Sequence, residues 1–274
     1  MGDLRDTAPE ADIDGVKYET FRFGTLLFTR IRRADLKPLV SGWAARQPAP
    51  SMTMTLTGAH GLTESRVNPE IQAAHEDADI VLCDGTPPWL GAVIHGHARQ
   101  VDRIPGRDAM REIASAAADI GLKQAFIGGP PGLAERTVAG LELAIGRPID
   151  ALPWSPPFVE RVDDAYADIV AAKLGGIEAP VVVWIGLSTP KQEMLAERLR
   201  KRLPHGFFFV AVGAAFDMYA GTRPPPPPIV SRLGVEWLYR SFQEPRRLPA
   251  RYARALPVVA IALGVAAWRR LTRS

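Results

Sequence analysis

The sequence predicts an α/β fold, in which a Rossmann-like, mostly parallel sheet carries helices on both faces and is followed by a C-terminal helical appendage. From about residue 52, short apolar runs alternate with longer helix-like segments. The runs end near glycine, aspartate or serine, as buried parallel strands do. Five prolines after Arg223 mark the start of the appendage, because proline lacks the amide donor that helices and inner strands need.

The elements follow in order along the chain. Residues 51–57 alternate with period two, and the other strands are apolar runs at 80–83, 125–127, 181–185 and 207–212. Helices are predicted at 64–77, 86–95, 108–120, 131–145, 160–174 and 190–203, and beyond the prolines at 230–242 and 249–268. We therefore divide the chain into a flexible leader (1–14), an α/β core (15–222) and a basic, apolar appendage (223–274).

Composition is typical of a globular cytosolic protein. The 274 residues are 47% hydrophobic, which is enough to bury a full core and excludes disorder of the whole chain. The single cysteine, Cys83, lies in an apolar run and cannot form an internal disulfide, which favours a buried, reduced thiol. The N-terminus is acidic and lacks the basic-then-apolar order of a secretory signal, so we expect no export.

Basic charge is concentrated at the C-terminal end. Residues 223–274 contain ten arginines and two acids, a local balance of +8 within a net charge of +3, so residues 1–222 carry −5. Such a cluster predicts a local binding surface, either for nucleic acid or for anionic lipid. The apolar stretch 255–268 has 14 residues, fewer than the roughly 20 that a membrane span needs.

Two loops at predicted strand ends are candidate ligand sites, since ligands of open α/β sheets bind at the carboxyl ends of strands. Asp84 and Gly85 follow an apolar strand. A carboxylate there can accept the proton of an attacking hydroxyl, or it can cap the next helix. Gly128 and Gly129 open a glycine-rich turn whose amides suit a diphosphate, or which is a plain tight turn.

A third loop spans residues 186–193 and opens the next helix. Thr189 suits the N-cap position, with Pro190 at the first helical position and Gln192 completing a capping box. The same helix start could present the Gln192 amide and free backbone amides to uracil, ribose or phosphate.

In a fourth loop, Arg103 and Arg107 flank a Pro-Gly turn. Guanidinium groups bind the paired oxygens of a diphosphate leaving group bidentately, although surface arginines are often only solvated. The five histidines form no metal-ligand pattern, so no metal site is predicted. Neither a G-x-S-x-G elbow nor a G-K-[ST] phosphate loop occurs, which argues against a serine hydrolase and a P-loop kinase.

Several motifs resemble, in the same order, those of the WecG/TagA/CpsF family of bacterial glycosyltransferases over about residues 20–255. They lie at 78–85, 186–193, 213–221, 233–240 and 243–247. The resemblance implies a cofactor-free, metal-independent, inverting transfer in wall-polymer or surface-polysaccharide synthesis. A sugar such as N-acetylmannosamine or glucose would pass from a UDP-sugar donor to a polyprenyl-diphosphate-linked acceptor.

The resemblance also implies residue roles. Asp84 matches the family's proposed catalytic base, and Arg103 matches an arginine near the donor diphosphate or the acceptor. Together with the loops above, it gives a set of residues expected to bind substrate: Thr55, Thr57, Gly85, Gly128, Gly129, Gln192, Asp217, Arg240 and Arg247.

The chain departs from the family pattern at three places. Thr57 stands where the family commonly has asparagine, which changes the hydrogen-bonding group offered to the donor. Pro87 and Pro88 replace small or apolar residues, and the five prolines replace a usually basic stretch. The proline changes motivate an alternative function, a catalytically weakened scaffold that binds nucleotide sugars in a membrane polysaccharide assembly complex.

The appendage has the composition of a peripheral membrane anchor. Arginines flank the apolar stretch 255–268 on both sides: Arg246, Arg247, Arg251, Arg254, Arg269, Arg270 and Arg273. Because the family's C-terminal region is thought to close over the active site and hold the enzyme to the membrane, we expect binding to the anionic inner face of the cell membrane. The alternatives are a helix packed on the core or in a homo-oligomer, and a soluble enzyme with a non-lipid acceptor. Nucleic acid is disfavoured because no nucleic-acid module accompanies the patch.

Overall fold

The structure, a computed structural model, describes residues 11–13, 16–227, 229, 230, 234, 236, 239 and 248–272. Its strands are β1 (Ala11–Ile13), β2 (Val16–Tyr18), β3 (Thr20–Phe23), β4 (Leu26–Thr29), β5 (Met52–Thr57), β6 (Ile80–Cys83), β7 (Lys123–Gly128), β8 (Ala151–Trp154), β9 (Val181–Gly186) and β10 (Phe207–Ala211). Its helices are α1 (Leu36–Ala44), α2 (Ala59–Val67), α3 (Pro69–Glu76), α4 (Thr86–Ile94), α5 (Gly106–Asp119), α6 (Leu133–Ile145), α7 (Asp164–Gly175), α8 (Lys191–Arg202), α9 (Ala215–Tyr219) and α10 (Leu248–Leu271).

Six strands form one parallel sheet in the order β6-β5-β10-β9-β7-β8. The predicted α/β fold with a parallel sheet and flanking helices is therefore confirmed. Because all six strands run in one direction, their carboxyl ends and the loops that follow them meet at one edge of the sheet.

Both faces of the sheet are buried by helices. Alternate residues of β9 show this: Val182 and Trp184 pack in the core under α1, α5 and α6, whereas Val183 and Ile185 pack under α7 and α8. All four are fully buried, which explains why central strands appear in the sequence as continuous apolar runs. Cys83 is also buried in β6, as expected for a reduced structural thiol.

A third packing layer covers the β6 edge. The β3–β4 hairpin lies there, with the Val81 amide donating to Thr29 Oγ1 at 3.0 Å. Phe21, Phe23 and Phe28 from the hairpin form a buried cluster with α4 and α10. The sequence analysis assigned no elements before residue 51, so β1–β4 and α1 are additions. Strand β1 falls inside the predicted leader, and the division into leader, core and appendage stays a prediction.

Two predicted helices differ from the structure. The helix expected at 64–77 is two helices, because Asn68 is extended and caps α3 by accepting from the Glu70 amide, with Pro69 at the first helical position. The helix expected at 160–174 begins at Asp164, where the Asp163 side chain accepts from the Tyr166 amide. In both cases a polar cap, rather than the apolar periodicity, decides where the helix starts.

Helix α10 lies against the body of the protein. Its small residues Ala255, Ala262 and Ala266 are buried, and it contacts α2, α4 and β3. At its far end Arg270 donates to the carbonyl oxygens of Val93 (3.3 Å) and Ile94 (2.7 Å) at the end of α4, a favourable place for a cation. In the part of the chain that the structure describes, none of the helices combines the length and apolarity required to cross a bilayer.

Candidate active site

A cavity of about 360 Å³ opens at the carboxyl edge of the sheet. It lies where β5, β6 and β10 end and where α5 and α8 begin, and residues 255–259 of α10 form one side. Of the residues predicted to act on substrate, five line it: Asp84, Gly85, Arg103, Gln192 and Asp217. Residues that are 133 positions apart in the chain thus share one cavity.

Asp84 is held by the ends of two neighbouring strands. Its amide lies 3.0 Å from the Thr57 carbonyl oxygen, and its own carbonyl oxygen lies 2.3 Å from where a Cβ on Gly58 would be. Only glycine at 58 allows this close approach. Helix α4 has Gly85 rather than Asp84 at its N-cap position. The half-buried carboxylate stands in the wall of the cavity.

Arg103 lies in the loop that joins α4 to α5. The Ile104 amide donates to the Cys83 carbonyl oxygen at 2.9 Å, which holds this loop beside the end of β6. The Arg103 guanidinium is 3.5 Å from Thr86 Oγ1, and Thr86 in turn donates to the Gly234 carbonyl oxygen at 2.8 Å. Arg103 therefore lies in the cavity wall beside the start of α4, the helix that follows Asp84.

Three further arginines line the cavity: Arg33, Arg107 and Arg223. Arg33 and Arg107 both form ion pairs with Asp108 in the first turn of α5. Asp102 accepts from the Arg33 amide at 2.9 Å and so fixes the position of that residue. The cavity thus has a positively charged side next to the N-terminus of α5, which suits an anionic ligand. Arg33 precedes the first element that the sequence analysis recognised, and it was therefore missed.

Gln192 lies in the first turn of α8, but the predicted capping box is wrong. The helix begins at Lys191 without a side-chain cap, and Thr189 instead donates to Glu193 Oε1 at 2.8 Å. Gln192 Nε2 donates to the same oxygen at 3.1 Å. Both Gln192 and Glu193 are buried, and burial raises the pKa of the Glu193 carboxyl. The preceding Ser188 has a φ of 65°, which is uncommon outside glycine and indicates local backbone strain at the cavity.

Asp217 lies on the short helix α9 after β10. Its backbone carbonyl accepts from the amides of Thr222 (3.0 Å) and Arg223 (3.1 Å), which turns the chain back towards the cavity. Thr222 Oγ1 lies 3.2 Å from Asp217 Oδ1. Asp217 therefore adds a carboxylate to a cavity wall that also contains Asp84, Asp108 and Glu236.

Thr55 and Thr57 are buried on the other side of β5. Their hydroxyls lie 3.1 and 3.2 Å from His75 Nδ1, and neither threonine is among the residues that line the cavity. Gly128 and Gly129 also lie outside this lining. A Cβ on Gly128 would be 2.6 Å from the Gly186 carbonyl oxygen, and one on Gly129 would collide with Leu133. Close packing thus explains both glycines without a ligand, while their predicted role in binding stays a prediction.

Arg240 and Arg247 lie outside the described residues, as do most of the predicted helix 230–242 and the motif at 243–247. Helix α10 nevertheless contributes Ala255, Leu256 and Val259 to the cavity wall. The family resemblance implied that the C-terminal region closes over the site, but the residues that form the wall could not be predicted, because small and apolar residues at helical spacing look the same whether they face a core or a cavity.

The buried His75 predicts a measurable pH dependence of stability. Burial lowers its pKa from 6.5 to about 4. Below pH 6.5 the unfolded chain binds a proton that the folded protein still excludes, so stability is lost as the pH falls. We expect a loss of roughly 2 kcal/mol in the free energy of unfolding between pH 7 and pH 5. Denaturant titrations at the two pH values measure this change.

The His75→Gln variant should show a smaller loss than the wild type. His205 provides the control, since it is exposed and its replacement by glutamine should leave the pH dependence as in the wild type. Equal pH dependence in the wild type and in H75Q would contradict this assignment.

A comparison with known protein families identifies the family of the chain. The model of the glycosyl transferase WecG/TagA/CpsF family matches residues 23–273, which is nearly the entire chain. The match spans the cavity from Arg33 to Val259 and includes Asp84, Arg103 and Gln192. The resemblance noted from the motifs is thereby confirmed. The chain belongs to the WecG/TagA/CpsF family and is a glycosyltransferase of cell-surface polysaccharide synthesis.

Proposed function

We propose that the protein moves a sugar from a UDP-sugar to a polyprenyl-diphosphate-linked saccharide by an inverting, metal-independent displacement at the inner face of the cell membrane. The observation that carries this proposal is that Asp84, Arg103 and Gln192 line one cavity at the carboxyl edge of a parallel sheet. A carboxylate beside cationic side chains is what a direct displacement needs, because one group accepts a proton while the others stabilise the departing diphosphate.

The proposed displacement moves one proton and exchanges one bond at the anomeric carbon of the donor sugar. The acceptor hydroxyl gives its proton to the Asp84 carboxylate, and its oxygen forms a bond to the anomeric carbon of the donor sugar. The bond from that carbon to the β-phosphate oxygen breaks, and the electron pair leaves with UDP. Arg103 and the N-terminus of α5 lie where they can stabilise the added negative charge. Attack from the face opposite the leaving group inverts the anomeric configuration.

The direct test is a donor and acceptor assay. Purified full-length protein is incubated with a short-chain polyprenyl-diphosphate-linked sugar and a panel of UDP-sugars, and the release of UDP is measured. We expect acceptor-dependent release with one or a few donors, and a product with inverted configuration by NMR. Binding of UDP-sugars without release or transfer would favour the scaffold instead.

The prolines that motivated the scaffold have a structural explanation. Pro87 and Pro88 occupy the first turn of α4, where a helix tolerates proline because the amides there lack intrahelical partners. They start a helix next to Asp84 and leave the carboxylate in the cavity. This supports an active enzyme over an inactive scaffold.

Helix α10 supports the membrane part of the proposal. Ala255, Ala262 and Ala266 are buried against the protein, whereas Ile261, Val265 and Trp268 are 55%, 45% and 69% exposed. These three residues are four and three positions apart and so lie on one face. Arg254 and Arg269 lie near the two ends of this apolar face. An apolar stripe with flanking arginines suits a helix lying in the headgroup region of an anionic leaflet.

Replacing two residues of this stripe should weaken membrane binding. We expect I261E/W268E to lower partitioning onto phosphatidylglycerol–phosphatidylethanolamine vesicles by roughly tenfold or more, because apolar burial is lost and negative charge is added. Co-sedimentation measures the bound fraction. Transfer to a water-soluble acceptor should be unchanged, since neither residue lines the cavity.

The matched control is L143E/I169E. Leu143 and Ile169 are 86% and 53% exposed, but they lie on α6 and α7. This double variant should bind vesicles like the wild type. Equal binding by I261E/W268E and the wild type would remove α10 as the attachment surface.

A further inference from the structure

Two buried polar side chains, Gln192 and Glu193, lie in the first turn of α8. Glu193 is 1% exposed and Gln192 is 4% exposed. Glu193 Oε1 accepts two hydrogen bonds, from Thr189 Oγ1 at 2.8 Å and from Gln192 Nε2 at 3.1 Å. Among the described residues Glu193 Oε2 has no hydrogen-bond partner. Burying a carboxyl group with one oxygen unpaired is unfavourable, so the presence of Glu193 here needs an explanation beyond packing.

The contact with Glu193 fixes which end of the Gln192 amide faces the cavity. The amide has a donating nitrogen and an accepting oxygen, and only the nitrogen can face an accepting oxygen of Glu193. In the opposite orientation two oxygens would be in contact without a hydrogen between them. The side-chain oxygen of Gln192 therefore points away from Glu193.

The Gln192 oxygen is buried and lacks a hydrogen-bond partner within the described part of the chain. It lies against the Gly213 turn at the end of β10, 3.0 Å from where a Cβ would be, and Gln192 lines the cavity. Gly213 has a φ of +52°, so both its conformation and this contact favour glycine. A buried acceptor without a partner at a cavity wall is suited to a donor group from a ligand.

We propose that Glu193 is a positioning residue, which orients Gln192 so that its side-chain oxygen accepts a hydrogen bond from an N–H or O–H group of the nucleotide-sugar donor. This inference rests on the proposed function. It limits the ligand group at this point of the cavity to the imide N–H of uracil, a hydroxyl of ribose, or a hydroxyl or acetamido N–H of the transferred sugar. A phosphate oxygen is excluded from this position, because two acceptors cannot form a hydrogen bond.

The raised pKa of Glu193 is compatible with this role. Desolvation is the largest cause of the shift and favours the neutral acid. With its proton on Oε2, which has no partner among the described residues, a neutral carboxyl group still accepts two hydrogen bonds through Oε1, so the orientation of Gln192 is kept. A glutamine at 193 offers the same accepting oxygen at nearly the same size and should preserve the arrangement.

The test compares Q192L, E193L, Q192L/E193L and E193Q with the wild type. Titration calorimetry gives the affinity for UDP, and steady-state kinetics give KM and kcat for the donor found in the panel. We expect Q192L and E193L each to weaken donor binding by about tenfold, as for one lost hydrogen bond. The double variant should be no worse than either single variant, because both changes remove the same contact. E193Q should stay within about twofold of the wild type.

The two probes distinguish the source of the hydrogen. If the uridine supplies it, the affinity for UDP and the donor KM both change; if the transferred sugar supplies it, only the donor KM changes. Additive losses in the double variant, or wild-type binding of both probes by folded E193L, would overturn the proposal. If Glu193 had a purely structural role, E193L would lower the melting temperature, and the losses of the two single variants would add in the double variant.

A second measurement does not depend on substrate turnover. In the nitrogen–proton NMR spectrum, the Gln192 side-chain amide is identified by its absence from Q192L. We expect its protons to be protected from exchange in the wild type and in E193Q, and to lose protection in E193L. Unchanged protection in E193L would overturn the positioning role, even if no UDP-sugar proves to be a donor and the proposed function fails.

Discussion

Asp84→Asn should lower the rate of sugar transfer by about 10²- to 10⁴-fold, the usual contribution of a general base. Asparagine has nearly the same shape as aspartate but cannot accept the proton of the acceptor hydroxyl. The backbone contacts of residue 84 with Thr57 and Gly58 do not involve its side chain, so the cavity should keep its form. The affinity for UDP should therefore change by no more than about twofold, while kcat falls.

Asp150→Asn is the matched control. Asp150 is exposed and lies just before β8, at the amino edge of the sheet and therefore away from the cavity. This variant should transfer sugar at the wild-type rate. Turnover by D84N close to that of D150N would exclude Asp84 as the base.

Arg103→Ala should lower kcat/KM for the donor by about 10²- to 10³-fold, comparable to the loss of one group that stabilises developing negative charge. The guanidinium lies in a cavity wall that also carries Asp84, so its removal should leave the leaving diphosphate with less stabilisation. Steady-state kinetics with varied donor concentration measure the loss.

Arg103→Lys separates charge from geometry. Lysine keeps the positive charge but not the planar pair of donors, so it should recover only part of the lost activity. Arg147→Ala is the control, because Arg147 pairs with Asp119 at the C-terminal end of α5 and does not line the cavity. Full activity of R103A would show that other groups stabilise the diphosphate.

The central sheet was predictable because its strands are buried on both faces. Continuous apolar runs such as 181–185 have no competing interpretation once helix-like segments separate them. The edge strand β8 was missed for the opposite reason. It contains Pro153, which is tolerated only where the strand has a free side, and its residues are only partly buried. Edge strands carry a weaker pattern than central ones.

The loops that form the cavity were predictable as a set, although their contacts were not. Strand direction alone brings the loops after β6 and β9 to one edge of the sheet, so Asp84 and Gln192 could be expected at the same edge. The contact between Gln192 and Glu193, and the wall formed by Leu256 and Val259 of α10, depend on side-chain packing between distant parts of the chain. Sequence periodicity holds no information about which surface such residues will meet.

The assigned motifs also differ in what they explain. Thr55 and Thr57 lie in an alternating strand and were expected near substrate, yet the structure places their hydroxyls against the buried His75. The histidine appeared in the sequence only as one of five without a ligand pattern. A buried polar side chain finds its partners through tertiary contacts, and here those partners lie 20 and 18 positions away.

A crystal structure of the full-length protein with UDP tests most directly whether this cavity is the donor site. The account predicts that the diphosphate lies within hydrogen-bond distance of Arg103, that an N–H or O–H group lies near Gln192 Oε1 in the UDP or donor complex, and that the Asp84 carboxylate faces the β-phosphate across the space for a sugar. UDP bound elsewhere, with residues 84, 103 and 192 untouched, would contradict it.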